Sequence, residues 1–309
     1  MNVLISSYHM NLVLRKYEKI LKKNKIKIDK IIRNPSVKEN ELVNIIHKYD
    51  GVICSDDEFS KKVLLKAKKL KVISKWGTGI DSIDSKFAKK KGIKIFNTPG
   101  AFTSGVAQYA IGMILNLSRK LSKSDLSVKK GNWNKFQGFN IENKKIGIIG
   151  LGKIGSKLIN YLKPFNVEIY GNERQKIICT RFRKKGIRIV NLNNLFSNCD
   201  IIVACVDLNK FSHHLISTKQ MMKLDENKIL INVSRGPVVD NKALIKCINK
   251  KKFQVGFDVF EEEPIKKKFL NNLKYKDSLL SSHNAFNTKE EVDFVNYNTM
   301  QNLLKGLKN

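Results

Sequence analysis

Short apolar runs alternate with lysine-rich amphipathic stretches along most of the chain. In the first third, the apolar runs are Val3–Ser6, Gly51–Cys54, Val72–Lys75 and Ile93–Phe96. Short continuous runs of this kind are typical of strands that are buried on both faces of a parallel sheet. The alternation with amphipathic segments therefore predicts a βαβ series, with its first strand beginning at Asn2.

Three segments show a helical pattern. Ser36 and Glu39 have the spacing of a capping box, which predicts a helix over Val37–Lys48. A longer helical pattern covers about Phe102–Leu121, and a final helix is predicted over about Thr288–Leu304. We expect these helices to cover the sheets that the apolar runs form.

A second βαβ series follows the long helix. Because its strands also alternate with amphipathic segments, the chain is predicted to be an α/β protein with two doubly wound parallel-sheet domains. The predicted strands of this second series are Lys145–Ile149, Val167–Gly171, Ile187–Val190, Ile201–Cys205, Ile229–Val233, Gln254–Asp258 and Leu279–Ser281.

The length of 309 residues allows two domains, each with a core of its own. No apolar run reaches the roughly 18 residues of a membrane-spanning helix, and the start of the chain lacks the layout of a signal peptide. The sequence therefore predicts a cytoplasmic protein that does not bind membranes.

The formal net charge is +32, so nucleic-acid binding has to be weighed. Of the 59 basic residues, 51 are lysine and eight are arginine, and they are spread along the whole chain. Base readout favours arginine, and no helix-turn-helix, RRM or zinc-finger pattern is present. We therefore expect no specific nucleic-acid partner, and we expect the positive field to attract anionic substrates. The nucleic-acid alternative predicts steep salt-dependent retention on DNA.

The cysteines form no C-x-x-C pair, and no histidine cluster accompanies them. They are therefore expected to be reduced and mostly buried, and no metal site or disulfide framework is predicted. The five positions are Cys54, Cys179, Cys199, Cys205 and Cys247.

One glycine-rich segment carries a phosphate-binding pattern. Directly after the first strand of the second series, Gly150, Gly152 and Gly155 have the spacing G-x-G-x-x-G and lead into a helix. The first glycine makes a tight turn, the second lets the backbone approach a pyrophosphate, and the third allows helix and strand to pack closely. The start of the helix, at Lys153 and Ile154, offers N–H groups to the anion. The segment therefore predicts a dinucleotide site.

The next predicted strand ends in an acidic and a basic residue. Glu173 lies 18 residues after Gly155, close to the spacing of the acid that holds the ribose hydroxyls. A carboxylate at this place favours NAD because it repels the 2′-phosphate of NADP. Arg174 could compensate for that repulsion, so NADP stays open as an alternative cofactor.

Arg235, Glu263 and His283 each follow a predicted strand of the second series. Ligands bind outside the carboxyl ends of the strands in open α/β sheets, so the three side chains can converge on one cleft. Histidine can exchange the proton of a secondary alcohol, a carboxylate orients the imidazole, and a guanidinium clamps a substrate carboxylate. Taken singly, each of these residues is equally consistent with a purely structural role. Together they predict hydride transfer between a nicotinamide and the C2 carbon of a small 2-hydroxy or 2-keto acid.

These segments resemble the D-isomer-specific 2-hydroxyacid dehydrogenases, in the phosphoglycerate dehydrogenase-like branch. The similarity extends from about Gly51 to Gly306. The segments that carry it are Trp76–Asp84, Asn97–Gly100, Val106–Gln108, Gly147–Gly155, Asn232–Asp240 and Asp258–Pro264.

The resemblance implies roles for individual residues. It implies that Arg235, Glu263 and His283 are catalytic. It also implies that a substrate loop holds the substrate carboxylate through its backbone, and this loop begins with Trp76, Gly77, Thr78 and Gly79. Lys75, directly before the loop, is expected to bind any distal anion of the substrate. Further cofactor contacts are implied at Cys205, Val206, Ser234 and Asp258, the last of them to the nicotinamide carboxamide.

The resemblance also implies a discontinuous fold. A Rossmann cofactor domain, residues 99–282, would be inserted in a flavodoxin-like substrate domain. Residues 1–98 would form the first part of that substrate domain, and residues 283–309 would return to it. The family further implies a homodimer formed through the cofactor domain.

Several substrates remain open at this point. Cys54 stands where phosphoglycerate dehydrogenases carry a phosphate-binding arginine, whereas Lys75 is expected to meet a distal anion, so 3-phosphoglycerate is one candidate. A reductase of hydroxypyruvate, glyoxylate or another 2-keto acid is the alternative within enzymes. A non-catalytic NAD sensor that recruits partners is an alternative of a different class, and the presence of the three catalytic residue types disfavours it.

Overall fold

The computed structural model describes residues 1–31, 33, 36–273 and 278–308. The chain divides into two compact units. Unit 1 comprises residues 1–102 and 287–309, and unit 2 comprises residues 103–286. The sequence places the corresponding boundaries after residues 98 and 282. In both, the chain leaves the first unit once and returns to it at the end.

Unit 1 is built on a five-stranded sheet in the order β2-β1-β3-β4-β5, and every pairing in it is parallel. This is the strand order of flavodoxin-like folds. The strands are β1 Asn2–Ile5, β2 Lys27–Lys30, β3 Gly51–Cys54, β4 Val72–Lys75 and β5 Lys94–Phe96. The α-helices of unit 1 are α1 Tyr8–Val13, α2 Glu18–Lys23, α3 Glu39–Ile45, α4 Lys61–Lys66, α5 Ser85–Lys90 and α14 Lys289–Lys308.

The core of unit 1 forms around central strands that are buried on both faces. All four residues of β3 and of β4 are buried. The last helix, α14, packs directly on this sheet: a Cβ placed on Gly306 would lie 2.3 Å from Cγ2 of Val72. The glycine therefore permits a close approach of α14 and β4, so the last helix of the chain packs on the sheet formed by its first part.

Unit 2 contains a seven-stranded parallel sheet in the order β12-β11-β10-β9-β6-β7-β8. Its strands are β6 Lys145–Ile149, β7 Glu168–Asn172, β8 Arg188–Ile189, β9 Ile201–Ala204, β10 Ile229–Asn232, β11 Gln254–Phe257 and β12 Ser278–Leu280. Its α-helices are α6 Thr103–Arg119, α7 Leu121–Lys129, α8 Lys153–Leu162, α9 Lys176–Arg183, α10 Leu192–Asn198, α11 Thr218–Met221, α12 Asn241–Lys251 and α13 Lys267–Asn272.

The strand order of unit 2 is that of a Rossmann fold. The chain runs outward from β6 through β7 to β8, then crosses to β9 on the other side of β6 and runs outward to β12. The order therefore reverses at β6, and ligands bind at such a switch point. The predicted fold class, with a Rossmann unit inserted in a flavodoxin-like one, is confirmed.

One strand escapes the sequence pattern. β2 has the sequence Lys-Ile-Asp-Lys, and only Ile28 in it is partly buried. It lies at the edge of the unit 1 sheet, where one side of the strand has no neighbour. An edge strand buries little surface, so its sequence lacks the apolar run by which the other strands are found.

The predicted capping box of Ser36 and Glu39 is wrong. Helix α3 begins at Glu39, and its N-cap residue Lys38 makes no side-chain cap hydrogen bond. The Glu39 carboxylate instead accepts a hydrogen bond from Ser60 Oγ. The backbone N–H of Val37 donates to Asp57 Oδ1 at 2.6 Å. Because Val37 is bonded to this carboxylate, 20 residues further along the chain, it stays outside the helix.

The two other predicted helices differ at their ends. The long helical pattern divides at Lys120, whose φ of 58° lies in the left-handed region and separates α6 from α7. The final helix runs to Lys308, beyond the predicted end at Leu304. Within the described residues, no helix has the length and apolar character that crossing a membrane requires.

Candidate active site

The glycine-rich loop joins β6 to α8 at the switch point of the unit 2 sheet. Gly150 has a φ of 89°, and a Cβ on it would lie 2.7 Å from Val206 Cγ1 and 2.9 Å from the Cys205 carbonyl oxygen. A Cβ on Gly155 would lie 2.1 Å from the Gly150 carbonyl oxygen. Only glycine fits at these two positions, and the structure brings the predicted residues Cys205 and Val206 against the loop.

Gly152 has a different surrounding. It is the N-cap residue of α8, and a Cβ on it would meet no heavy atom within 4 Å. The backbone is therefore open to approach at this point, next to the N–H groups of Lys153 and Ile154 in the first turn of the helix. An open glycine beside the N-terminus of a ten-residue helix fits a bound pyrophosphate.

Glu173 lies directly after β7 and reaches back to the glycine-rich loop. Its Oε2 accepts a hydrogen bond from Leu151 N at 3.0 Å. Its Oε1 accepts from the backbone N–H groups of Arg174 and Gln175 at 2.8 and 3.0 Å. The carboxylate is thus fixed beside the loop. The guanidinium of Arg174 stacks on the Phe211 ring, with Cζ 3.6 Å from the ring centroid.

Two further predicted cofactor contacts lie after β9 and β10, the next two strands of the sheet beyond β6. Burial raises the pKa of the Cys205 thiol to about 12, so this side chain is uncharged near pH 7. Ser234 is buried, and its Oγ donates to Asn232 Oδ1 at 2.6 Å.

Arg235, Glu263 and His283 follow β10, β11 and β12, which are adjacent and parallel. The carboxyl ends of these strands lie at one edge of the sheet, so all three residues are placed there, as the sequence predicts. Glu263 and His283 are in direct contact, because His283 Nδ1 lies 2.8 Å from Glu263 Oε2. Arg235 Nη1 donates to the Ser234 carbonyl oxygen at 2.9 Å.

Both oxygens of the Glu263 carboxylate have a polar partner. Its Oε1 accepts a hydrogen bond from Phe260 N at 2.9 Å, while Oε2 faces the imidazole. The two neighbouring glutamates have other partners: Glu261 contacts His214 Nε2, and Glu262 pairs with Lys266. Of the acidic run 261–263, only Glu263 meets His283 in the contacts of the described residues.

The substrate loop of unit 1 follows β4. Lys75 and Trp76 are each only 4 % exposed. The Trp76 indole N–H donates to Asn296 Oδ1 at 2.7 Å, and its ring stacks on His9 with centroids 4.2 Å apart. Gly77 has a φ of 118°, and its carbonyl oxygen accepts from Thr98 N at 2.9 Å.

The rest of this loop is held by its backbone. Asn97 Nδ2 donates to the Thr78 carbonyl oxygen, while Thr78 and Gly79 stay partly exposed. Burial lowers the pKa of His9, so this ring is neutral near pH 7.

Comparison with known proteins identifies the family. The profile of the D-isomer specific 2-hydroxyacid dehydrogenase NAD binding domain matches residues 111–285, more than half of the chain. A glyoxylate reductase of Thermococcus litoralis is 34% identical over 268 residues, which cover 82% of this chain and 78% of the relative. A hydroxypyruvate reductase of Thermotoga maritima is 30% identical over 304 residues, 97% of both chains.

This chain belongs to the D-isomer specific 2-hydroxyacid dehydrogenase family. It is therefore an NAD-dependent oxidoreductase that transfers a hydride between nicotinamide and C2 of a small 2-hydroxy or 2-keto acid, as the sequence predicts. Among solved structures, D-lactate dehydrogenase of Aquifex aeolicus complexed with NAD and lactic acid has the same fold. Its TM-score is 0.85 at 24% identity, over 100% of this chain and 98% of the other.

The dehydrogenase holds its histidine in an uncommon backbone conformation. His283 has a φ of 53°, in the left-handed region, and its N–H donates to the Asp258 carbonyl oxygen at 2.8 Å. The Asp258 carboxylate accepts hydrogen bonds from Ser281 Oγ and from the backbone N–H groups of Asn284 and Ala285. Asp258, predicted as a cofactor contact, thus also shapes the loop that carries His283.

Two residues that support Arg235 were not singled out from the sequence. Asn232 is fully buried and spans the turn: its Nδ2 donates to the Arg235 carbonyl oxygen, and its Oδ1 accepts from Ser234. A Cβ on Gly236 would lie 1.9 Å from the backbone of Phe260, so the loops after β10 and β11 touch. A buried asparagine at a strand end and a glycine after the arginine are the available signals, but neither identifies its partner.

Proposed function

We propose that this dehydrogenase reduces a small 2-keto acid of the glyoxylate or hydroxypyruvate type with NADH as hydride donor. The observation that carries the proposal is the contact of 2.8 Å between Glu263 Oε2 and His283 Nδ1 at the carboxyl edge of the unit 2 sheet. It is the arrangement that a protonated imidazole needs in order to give a proton to a developing alkoxide. The relatives named glyoxylate and hydroxypyruvate reductase support this choice of substrate class.

His283 is the proposed proton donor for reduction and the proton acceptor for the reverse reaction. Because Nδ1 faces Glu263, the proton is exchanged at Nε2. The carboxylate stabilises the charged imidazole and fixes the ring, since its own position is set by the Phe260 N–H. A proton lost from Nε2 to the substrate oxygen is regained from solvent after product leaves.

Arg235 is the proposed partner of the substrate carboxylate and carbonyl. Its guanidinium can donate two parallel hydrogen bonds to a carboxylate, and its charge polarises the adjacent carbonyl. The backbone N–H groups of Gly77, Thr78 and Gly79 in unit 1 are the proposed second grip on that carboxylate. Lys75 and Trp76 directly precede these three residues. Because both are buried, they anchor this segment to unit 1.

The residues that would hold NAD lie around β6. The N–H groups of Gly152, Lys153 and Ile154 would face the pyrophosphate, and Glu173 the ribose hydroxyls. Cys205, Val206 and Ser234 would line the same edge of the sheet, and Asp258 would face the carboxamide. When bound, the nicotinamide supplies or accepts the hydride.

We also propose that the enzyme works in the cytoplasm as a homodimer. All five cysteines lie within the described residues and are free thiols, which fits a reducing compartment.

The proposed homodimer is supported by exposed apolar residues on unit 2. Helix α7 buries none of its residues, and Leu121, Leu126 and Trp133 are 54%, 52% and 85% exposed. Exposed apolar side chains of this kind on the cofactor unit fit contact with a second copy of the chain.

The test is the rate of NADH oxidation with a panel of 2-keto acids: glyoxylate, hydroxypyruvate, pyruvate and 3-phosphohydroxypyruvate. We expect the highest kcat/KM for glyoxylate or hydroxypyruvate, and a lower value for the phosphorylated acid. The highest kcat/KM for 3-phosphohydroxypyruvate would overturn the proposed substrate class. Absence of turnover with every member would overturn the proposed reductase activity.

A further inference from the structure

An ion pair lies next to the proposed substrate loop in unit 1. Lys75 Nζ donates to Asp56 Oδ1 at 2.9 Å and to the Trp76 carbonyl oxygen at 3.3 Å. A Cβ on Gly77 would lie 3.8 Å from the same Nζ, so the ammonium adjoins the first glycine of the loop. The pair therefore stands at the edge of the place where a substrate carboxylate would bind.

The pairing follows from the sheet. β3 and β4 are adjacent and parallel, and Cys54 is in register with Lys75. The residues that follow both strands leave the sheet side by side, which brings Asp56 to the cation. The Lys75 side chain is 5% exposed and the Asp56 side chain 61% exposed, so the buried ammonium is met from the solvent side by a carboxylate.

The turn that presents Asp56 is rigid because its neighbour Asp57 is buried. The Asp57 carboxylate accepts hydrogen bonds from Ser6 Oγ at 2.6 Å, Val37 N at 2.6 Å and Ser55 N at 3.2 Å. Burial raises the pKa of Asp57. Two of these donors come from distant segments of the chain and the third from the turn itself, and Asp56 is held beside Lys75 as a consequence.

We propose that Asp56 is a specificity-determining residue that reserves the site for 2-keto acids with a single anionic group. The inference rests on the proposed function and names its substrate class. Asp56 neutralises Lys75, whose ammonium adjoins the first glycine of the loop. A second anionic group on the substrate, such as a phosphate, would have to displace Asp56 or lie close to its negative charge. Cys54, at the end of β3, supplies no alternative cation, because a thiol never carries a positive charge; this one is buried.

A rival account gives Asp56 no part in selection. In that account, the exposed carboxylate swings away when a phosphorylated substrate arrives, and Lys75 then binds the phosphate. The two accounts differ in the effect of removing the negative charge. If Asp56 selects, its removal improves the binding of doubly anionic acids; if it swings away freely, the removal changes little.

The experiment compares two ligands that differ only by a phosphate. D-glycerate and 3-phosphoglycerate are titrated by calorimetry into the full chain saturated with NADH, a combination in which no hydride transfer occurs. The variants are Asp56→Asn and Asp56→Ser. Glu58→Gln is the matched control, because it removes an equal charge from an exposed side chain two residues along.

We expect the wild-type chain to bind 3-phosphoglycerate no more tightly than D-glycerate. In both Asp56 variants, the affinity for 3-phosphoglycerate should rise at least about tenfold, as expected for release of one partly buried cation, while that for D-glycerate changes less than about threefold. Lys75→Met added to Asp56→Asn should remove the gain, and Glu58→Gln should behave as wild type. An unchanged affinity ratio in both Asp56 variants, or an equal change in Glu58→Gln, would overturn the proposal.

The same preparations separate this inference from the proposed function. Turnover of glyoxylate or hydroxypyruvate by the wild-type chain tests the reductase activity, whereas the calorimetric ratio needs no turnover. A chain that fails to oxidise NADH would contradict the proposed function and leave the ratio to decide the role of Asp56. A chain that reduces glyoxylate but shows no effect at Asp56 would contradict this inference alone.

Discussion

The pairing of Glu263 with His283 depends on backbone contacts as much as on the two side chains. Phe260 N positions the carboxylate, and the Asp258 carbonyl oxygen holds the N–H of His283. A histidine in the left-handed region is uncommon, and surrounding contacts have to maintain it. At the scale of single residues, the site is therefore held by groups that take no direct part in the proposed chemistry.

Glu173 is expected to set the preference for NADH over NADPH. Glu173→Gln keeps the shape of the side chain but removes the charge that repels a 2′-phosphate. The ratio of kcat/KM for NADH to kcat/KM for NADPH should therefore fall by about tenfold or more, an effect on the order of one charge contact. Glu168→Gln, an exposed glutamate at the start of the same strand, is the control and should leave the ratio unchanged. A preference for NADPH in the wild-type chain would contradict the assignment.

His9 links the stability of unit 1 to pH. Its pKa is lowered by burial, so protonation is disfavoured in the folded chain. Its contribution to stability is therefore fully present above the ordinary pKa of 6.5 and is lost as pH falls through the lower pKa of the folded state. His9→Phe keeps an aromatic ring to stack on Trp76 and does not titrate.

The measurement is the free energy of unfolding by urea for both chains between pH 7.5 and pH 5. We expect the difference between wild type and His9→Phe to shift in favour of the variant as the pH falls. A difference that stays constant across this range would show that the burial of His9 has no energetic consequence.

At the scale of elements, replacement of glycine by alanine should have opposite effects on stability at two positions. Gly236→Ala would place a Cβ 1.9 Å from the Phe260 backbone and so push the Arg235 loop away from the Glu263 loop. Gly112 lies in α6 with open space around it, so Gly112→Ala meets no obstacle. The first should cost about 2 kcal/mol or more and lower turnover, while the second should stabilise the chain by about 0.5–1 kcal/mol.

Thermal and urea unfolding of the two variants, together with NADH oxidation, provide the check. Equal stability of Gly236→Ala and wild type would mean that the loops after β10 and β11 can separate without cost. The account of how these loops hold Arg235 would then be wrong.

The elements differ in how far the sequence predicts them. The strands Gly51–Cys54, Val72–Lys75 and Lys145–Ile149 have the predicted bounds, because short apolar stretches between amphipathic segments mark buried strands. The edge strand β2 was not predicted and the start of α3 was predicted wrongly, since both depend on partners far along the chain. The contact of Val37 with Asp57 is an example that no local pattern contains.

The same division applies to the site. The positions of Arg235, Glu263 and His283 follow from strand ends and from the family resemblance. Their supports do not, because the roles of Asn232 and of the Asp258 carboxylate depend on which loops touch. The ion pair of Lys75 with Asp56 likewise requires the register of β3 and β4. The sequence predicts that Lys75 meets a distal anion of the substrate, but it does not show that Lys75 has a carboxylate partner within the chain.

At the scale of the whole molecule, each unit has a core of its own, and the exposed apolar residues of α7, together with Trp133, belong to unit 2. If these residues form the interface of the proposed homodimer, Leu126→Glu places a charge in it and should give a monomer. Leu12→Glu is the control, because Leu12 is 65% exposed on α1 of unit 1. Sedimentation should give twice the chain mass of 35.4 kDa for wild type and Leu12→Glu, and the single chain mass for Leu126→Glu. A monomeric wild type would contradict the proposed dimer.

His283, oriented by Glu263, is proposed to transfer the proton that accompanies hydride transfer. The most direct measurement is steady-state reduction of the best 2-keto acid by His283→Ala, with NADH affinity measured in parallel. Turnover should fall by roughly 10²–10⁴-fold while NADH affinity stays within about twofold, since a positioned acid contributes that much to rate.

The double variant His283→Ala/Glu263→Gln should lose little more than His283→Ala alone, because the two residues act as a unit. Glu262→Gln, the neighbouring glutamate that pairs with Lys266, should keep near-normal turnover. Near-normal turnover in His283→Ala, with NADH binding preserved, would contradict the account.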